Sequence, residues 1–186
     1  MQQLLGYVLG LMLTALAAYG AFEAYSTAMD GEHVDALKTQ LSQIQGQVTT
    51  QYQRAPGRYN FTSPIPTAIL ISSRIVPSGA INGTAVINPF NGTYSVVSNG
   101  GGSTSPLNTF SVEADNIPED LCEQIIKSFG TGGGQGGGPI YGYAVLSAIG
   151  GTGTISTVIP DTDTNAASAC QTPAAKTVAI QFVMNG

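Results

Sequence analysis

"LLGYVLGLMLTALAAYGAF", Leu4 to Phe22, is a run of nineteen residues without one charged side chain. A helix of about 20 apolar residues crosses the roughly 30 Å hydrocarbon core of a bilayer, so residues 1–22 suffice for a membrane-resident segment. The pattern does not stop where a membrane would. After Glu23, Asp30, Glu32 and Asp35, apolar residues recur at Val34, Leu37, Leu41, Ile44 and Val48. Steps of three and four place them along one helix face. One helix is therefore predicted from the start to about Gln53, ended by Pro56 and Gly57 in "RAPGRYNF". At ~1.5 Å per residue, ~50 residues make a rod of roughly 75 Å.

The two halves of this rod make different demands. The second has one apolar face and is expected to lie against its own globular domain through Val34, Leu37, Leu41, Ile44 and Val48. The first, residues 1–25, is apolar all round and is expected to protrude, leaving lipid or copies of itself as partners. Small residues recur along it at Gly6 and Gly10, Ala17 and Ala21, and Gly20 and Ala24. Four-residue spacing of this kind lets helix backbones approach closely. Two readings stand, a packing face or ordinary glycine use in a membrane helix. A secretory signal needs a basic leading region, and the first 37 residues contain no Lys or Arg, so the chain is expected to begin at an already processed terminus.

The remaining residues are numerous enough for one domain, and 42% hydrophobic composition supplies a core. Only 9% of residues are charged, with a formal net charge of −5. The cations Lys38, Arg54, Arg58, Arg74, Lys127 and Lys176 are scattered, which argues against a phosphate-tracking surface and against direct nucleic-acid binding. Twenty-four glycines and no Trp suit a loop-rich β domain solvated by neutral polar groups. Cys122 and Cys170 are an even pair in a chain whose first segment meets a membrane. In an oxidising compartment a disulfide closing a loop of roughly 50 residues is expected, the alternative being two buried free thiols. A lone pair at this separation does not suit a zinc site.

Beyond Pro56 the signals are those of strands and turns. Ala68 to Val76 is apolar and β-branched and reads as a strand, and Asn82-Gly83 and Asn91-Gly92 favour hairpin turns. "TFSVEAD" alternates Phe110, Val112 and Ala114; "TVAIQFVM" alternates Val178, Ile180, Phe182 and Met184; both predict half-buried antiparallel strands. Between them Pro118, Glu119, Asp120, Lys127 and Gly130 suit the ends of a short helix with Leu121, Ile125 and Phe129 as its buried stripe. The fold class is α+β: a spine helix over residues 1–53 packed on an antiparallel β-sheet head over 54–186.

Signals of chemistry are thin. Gly132, Gly134 and Gly137 formally match a dinucleotide fingerprint, yet a glycine run matches trivially and "IYGYAVLSAI" reads as a strand where the motif requires a helix. His33 stands alone among Glu32 and Asp35, without a second His or a G-x-S-x-G elbow, so no catalytic constellation is visible. The acids from Glu113 to Glu123 lack EF-hand spacing and read as a solvated face with helix-capping residues. No catalytic residue, cofactor or metal is expected. Asn60, Asn82 and Asn91 lie in N-x-T sequons and read as turn residues.

Taken together, Met1 to Phe22, "APGRYNF" at the helix exit, "INPFNGTYSV" in the connecting region, and "IPEDLCEQI" with the late Cys170 resemble a type IV pilin. The similarity is to type IVb major pilins, the class that includes conjugative thin-pilus and toxin-coregulated subunits, and it spans nearly the whole chain. The resemblance implies a major pilin that polymerises with copies of itself into a helical type IV pilus on a bacterial surface, with residence in the inner membrane beforehand. It implies a prepilin peptidase that methylates Met1, an assembly machinery, and a disulfide-bounded region 122–170. Filament-core packing would fall to Leu4, Leu5, Gly6, Val8, Leu9, Gly10, Leu13, Leu16, Ala17, Gly20 and Ala21. Most family members carry Glu at mature position 5, where this chain has Leu5, and its first carboxylate is Glu23. The alternative is a membrane-anchored or tip-located minor pilin acting as a binding module.

Overall fold

The computed structural model describes residues 2–55, 58–59, 61, 63–98, 109–130, 140–151, 163–171 and 177–185, with side chains of the first helix described from Met12 onward. The chain divides into two compact units, Met1–Asp35 and Ala36–Gly186. Helix α1 (Gln2–Tyr52) carries the boundary within it. It ends within a residue of the expected position, where β1 (Gln53–Ala55) pairs antiparallel with β2 (Arg58–Tyr59).

The first unit is helix alone. In the second, Leu37, Leu41, Ile44 and Val48 on the last turns of α1 are buried to 1% exposure or less, while the residues between them stay polar and more open. Polar contacts hold this part of the helix in register with the head. The Tyr94 hydroxyl donates to Gln40 Oε1 at 2.7 Å, and the Gln51 amide donates to the Ser73 carbonyl at 2.8 Å. Thr49 and Tyr59 share a hydroxyl contact of 3.3 Å, and the Tyr52 ring meets Phe61 with centroids 5.3 Å apart.

The head is built on a four-stranded antiparallel sheet of β5 (Tyr94–Ser98), β6 (Thr109–Pro118), β7 (Ile140–Leu146) and β8 (Thr177–Asn185), in the order β5-β6-β8-β7. Its register pairs Val96 with Val112, Val112 with Phe182, and Phe182 with Tyr143, which gathers the predicted alternating residues onto one face. Helix α3 (Glu119–Gly130) lays Phe129 against Phe182 there, centroids 5.0 Å apart, and Tyr59 packs edge-on to Phe110 at 4.9 Å.

Alternation predicts a sheet wet on its other side, and here the structure differs. Ser111, Glu113, Ala144, Leu146, Ala179 and Val183 on the second face are buried as well. The segment after β7 folds back over them, packing Ile149 on Ala144, Leu146 and Ala179. Small and polar side chains on this face are therefore not a sign of solvent; they leave room for a covering loop.

The segment read as a strand, Ala68 to Val76, is instead a short helix, α2 (Thr67–Ser72), followed by a turn. Pro66 stands at its N-cap with φ −58°, already set for a helical start. Arg74, at φ 53°, reverses the chain so that the Ile75 and Val76 N–H groups donate to the Leu70 carbonyl. Leu70, Ile75 and Val76 are all buried by this arrangement, and that burial outweighs a β preference worth about 1 kcal/mol at most.

The hairpin of β3 (Ile81–Asn82) and β4 (Ala85–Val86) turns on Gly83 at φ 62°. Ile65 and Ser63 cover the outer edge of β5, the Ile65 N–H donating to the Val96 carbonyl at 2.9 Å and the Ser98 N–H to Ser63 Oγ at 3.0 Å. This leaves fewer open backbone groups on an edge strand of the sheet. Helix α4 (Asp163–Gln171) was not foreseen, its Asn-, Ala- and Ser-rich sequence carrying no apolar stripe.

Two substitutions probe this core. Leu41→Ala is expected to cost about 2–5 kcal/mol in denaturant unfolding of the full chain. Gly92→Ala places a Cβ inside the carbonyl oxygen of Asp115; a loss of about 1–3 kcal/mol is expected, and an unchanged midpoint would contradict the packing described here.

Candidate self-association surface

Met12, Leu13, Leu16, Tyr19, Phe22 and Tyr25 are each 60–70% exposed. At about 100° per residue, Met12, Leu16 and Tyr19 share one side of the helix, with Phe22 and Tyr25 continuing round it. Ala17, Gly20, Ala21, Ala24, Ala28 and Gly31 fall together on another arc of roughly 100°. All but the partly exposed Gly31 are exposed, and beyond the helix's own adjacent backbone no described residue lies within 4 Å of a Cβ added at Gly20 or Gly31. From Leu16 onward the helix thus sets Leu16, Tyr19, Phe22 and Tyr25 apart from a shallow strip of small residues, while Leu13, one turn before Ala17, lies on the arc of the strip itself. Large exposed apolar surface is the mark of a partner surface or a lipid contact, and the strip is where a second helix can come close.

Leu4, Leu5, Gly6, Val8, Leu9 and Gly10 lie on the backbone of α1, with side chains outside the described residues; Met1 lies outside them altogether. Among the described residues no helix is long and apolar enough to cross a membrane. Val34 is buried, and Glu23 and Glu32 are exposed in a stretch without a cation.

In the head, Cys122 on α3 and Cys170 on α4 are joined by a disulfide, Cα atoms 5.9 Å apart and 48 positions distant in sequence. Alternatives left open by the sequence close on the bonded pair. A cleft beside it is lined by Glu119, Asp120, Glu123, Ala167, Cys170 and Gln171, and Glu123 is taken up by Lys127 at 2.6 Å. Among the described residues no group of three or more His, Cys, Asp or Glu is placed to hold a metal. The glycine run 132–137 lies outside the described residues, and the segment after it is strand β7.

Two buried titratable groups depart from the reading of the sequence: Tyr94 is not singled out there, and Glu113, read as part of a solvated acidic face, is buried. Burial raises the phenol of Tyr94, which therefore stays neutral while donating to Gln40. Glu113 is 3% exposed on the second sheet face, flanked in register by Ser95 and Gln181. Burial raises its pKa above the usual value, and the Gly150 N–H, donating to Oε2 at 3.0 Å, partly offsets this. Both lie within the packing of the head.

A second feature, Asn88, ties the turn before β5 to β6. Its Oδ1 accepts from the N–H groups of Phe90 and Gly92 at 2.9 and 3.0 Å, and its Nδ2 donates to the Asp115 carbonyl at 2.7 Å. Asp115 accepts in turn from the Thr93 N–H and hydroxyl. The only hint of this in sequence is the density of Asn and Gly in "INPFNGT".

Comparison with known proteins follows the same lines. The family described as PilS N terminal matches residues 32–183. A crystal structure of type IV b pilin from Salmonella typhi is similar with a TM-score of 0.55 and 21% identity, over 80% of this chain and 99% of that one. TcpA, a type IV pilin from Vibrio cholerae El Tor biotype, is similar with a TM-score of 0.49 and 14% identity, over 82% of this chain and 98% of that one. None of the curated proteins matches. The α+β architecture seen here, a long N-terminal helix with an antiparallel sheet, is that of the Salmonella protein.

Reducing the disulfide reopens a loop of 48 positions, and the chain-entropy model puts its contribution at about 4 kcal/mol. Lower thermal stability and faster proteolysis of residues 122–170 are expected on adding reductant, and identical digestion patterns would contradict this. Glu113 gives a pH signature. A carboxyl whose folded pKa is raised binds its proton more tightly when folded, so its contribution is most favourable below its unfolded pKa and declines as pH rises through the folded value. Glu113→Gln should thus flatten the fall in melting temperature that sets in as pH rises above the ordinary carboxylate range, about pH 4, leaving the rest of the profile in place.

Proposed function

This chain belongs to the PilS N-terminal family of type IV pilins, and on that premise we propose that it is a major pilin, the repeating structural subunit of a type IV pilus. The observation that carries the proposal is the exposed apolar surface of α1, where Leu16, Tyr19, Phe22 and Tyr25 lie away from the strip of small residues from Ala17 to Gly31. A helix of that form in water would aggregate without order; in a helical polymer the bulky side of one copy fills the shallow side of the next.

In this reading Met1 is the residue exposed and methylated by a prepilin peptidase, and residues 1–22 hold the subunit in the inner membrane of a Gram-negative cell until the assembly machinery extracts it. Lipid and filament core are both apolar surroundings. Burying roughly 1000 Å² of apolar helix in either is worth on the order of 25 kcal/mol gross at about 25 cal/mol/Å², and the difference between the two states is a small fraction of that. Extraction therefore needs a driven machine, while selectivity comes from the fit of large side chains to small. The finished filament lies outside the cell, with heads facing solvent and the disulfide guarding them.

Gly20→Leu separates this reading from one in which the helix is only an anchor. A Cβ added there meets no described residue outside the helix's own adjacent backbone, and the change removes a helix-interior glycine worth up to about 1 kcal/mol. The subunit should accumulate in the membrane with its head folded, while sedimentable filament falls about tenfold or more, as a lost close approach worth about 1.4 kcal/mol per contact would give. Filaments at wild-type yield would refute the packing role. A cell whose wild-type filaments lack this chain as their main component would refute the proposal as a whole.

A further inference from the structure

The chain contains two Asn-Gly-Thr triplets, at Asn82 and at Asn91. Their local sequences are nearly equivalent and their surroundings are not. Asn82 closes the two-pair hairpin of β3 and β4, its side chain exposed and without a hydrogen bond to any described residue. Gly83 is exposed at φ 62°, nothing lies within 4 Å of its Cβ position, and no described residue accepts from its N–H. A ladder of two pairs opens at little cost.

At the second triplet each of these freedoms is removed. Asn91 is held at φ 59°, its N–H donating to the Asn88 carbonyl at 3.0 Å. Gly92 is buried, its N–H donates to Asn88 Oδ1 at 3.0 Å, and its carbonyl accepts from the Asn88 N–H at 2.9 Å. Asp115 fills the space beside its Cα. Asn88, 3% exposed and bonded through both ends of its amide, pins the peptide that would have to rotate.

We propose that Asn82 is a site of spontaneous deamidation in the folded protein, and that the Asn88 network shields Asn91 from the same reaction. The Gly83 nitrogen, once its proton is lost to hydroxide, attacks Cγ of Asn82. A bond forms between that nitrogen and Cγ, the bond from Cγ to the side-chain amide nitrogen breaks, and ammonia leaves with a proton from water. Water then adds across either imide C–N bond, giving aspartate or isoaspartate at position 82. The sequence is redox-neutral and uses only water and hydroxide. Gly83 is what makes it possible, because any side chain there would crowd the ring as it closes. At Asn91 the same nitrogen must first abandon its hydrogen bond to Asn88 and swing a peptide into the space Asp115 occupies. Each event adds one negative charge to a chain already at −5, and the isoaspartate form lengthens the backbone by one methylene at the tip of the hairpin. The inference holds whether or not the chain assembles into filaments.

The test is a time course of the purified full chain in detergent at mildly alkaline pH, with peptide mass spectrometry reading amide-to-acid conversion at both sites. A parallel sample is kept unfolded in urea. In the folded chain Asn82 should convert about tenfold faster than Asn91 or more, the factor that holding one hydrogen bond of ordinary strength commands; in urea the two rates should converge. Equal rates in the folded chain would overturn the proposal, as would an Asn82 that stays intact while its unfolded counterpart reacts. Asn88→Ala, where circular dichroism shows that it folds, should raise the Asn91 rate toward that of Asn82, and a folded variant with Asn91 still protected would overturn the shielding role. Where that variant does not fold, the comparison of native and urea samples decides alone.

Discussion

Water does not accept the bare apolar surface of α1, and the molecule answers that constraint in two ways along one helix. From Leu37 to Val48 the apolar residues form a single stripe, and the chain supplies its own cover: those side chains are sealed in the head while the intervening positions remain polar. From Met12 to Tyr25 apolar residues surround the axis, and the large ones stay mostly exposed. A stripe can be buried by one layer of sheet; a cylinder cannot, since a single sheet reaches only one side of a helix. The need for surroundings that enclose the helix, whether lipid or other helices, follows from that geometry.

The head is fitted to keep its stripe covered. Three polar contacts, Tyr94 with Gln40, Thr49 with Tyr59, and Gln51 with Ser73, set how far along its axis the helix can slide. Apolar burial is large but indifferent to register, and directed hydrogen bonds supply the selection. The disulfide ties α3 to α4, and this covalent link limits their separation. Asn88 has a comparable role at the turn before β5, where one side-chain amide replaces a short stretch of secondary structure as partner for backbone groups.

Much of the architecture was legible because its signals are periodic. The 3-4 spacing from Val34 to Val48 and the alternation in "TFSVEAD" and "TVAIQFVM" each encode an element and its buried face. The ends of α3 were legible for another reason, since acids at its start and Lys127 at its end match the helix dipole. Nothing periodic marks α2 or α4. At six and nine residues neither exceeds two and a half turns, too few residues for a repeat to declare itself, and their conformation is set by neighbours. The burial of Glu113 was also hidden, because a carboxylate in an alternating strand is indistinguishable from a solvent-facing residue until the covering loop is known.

The primary sequence by itself determined the uncharged front of the helix, the one-sided rear, the even cysteine pair and the family resemblance they compose, because each is a property of composition or of spacing along the chain. Tertiary structure decided what depends on distance between residues remote in sequence. It brought Cys122 to Cys170, closed both faces of the sheet, turned the β-branched segment after Pro66 into a helix, and gave two nearly identical Asn-Gly pairs opposite surroundings. The physical reason is common to all four. Burial and hydrogen-bond partners are shared between segments, and a segment read alone carries only its half of the contact.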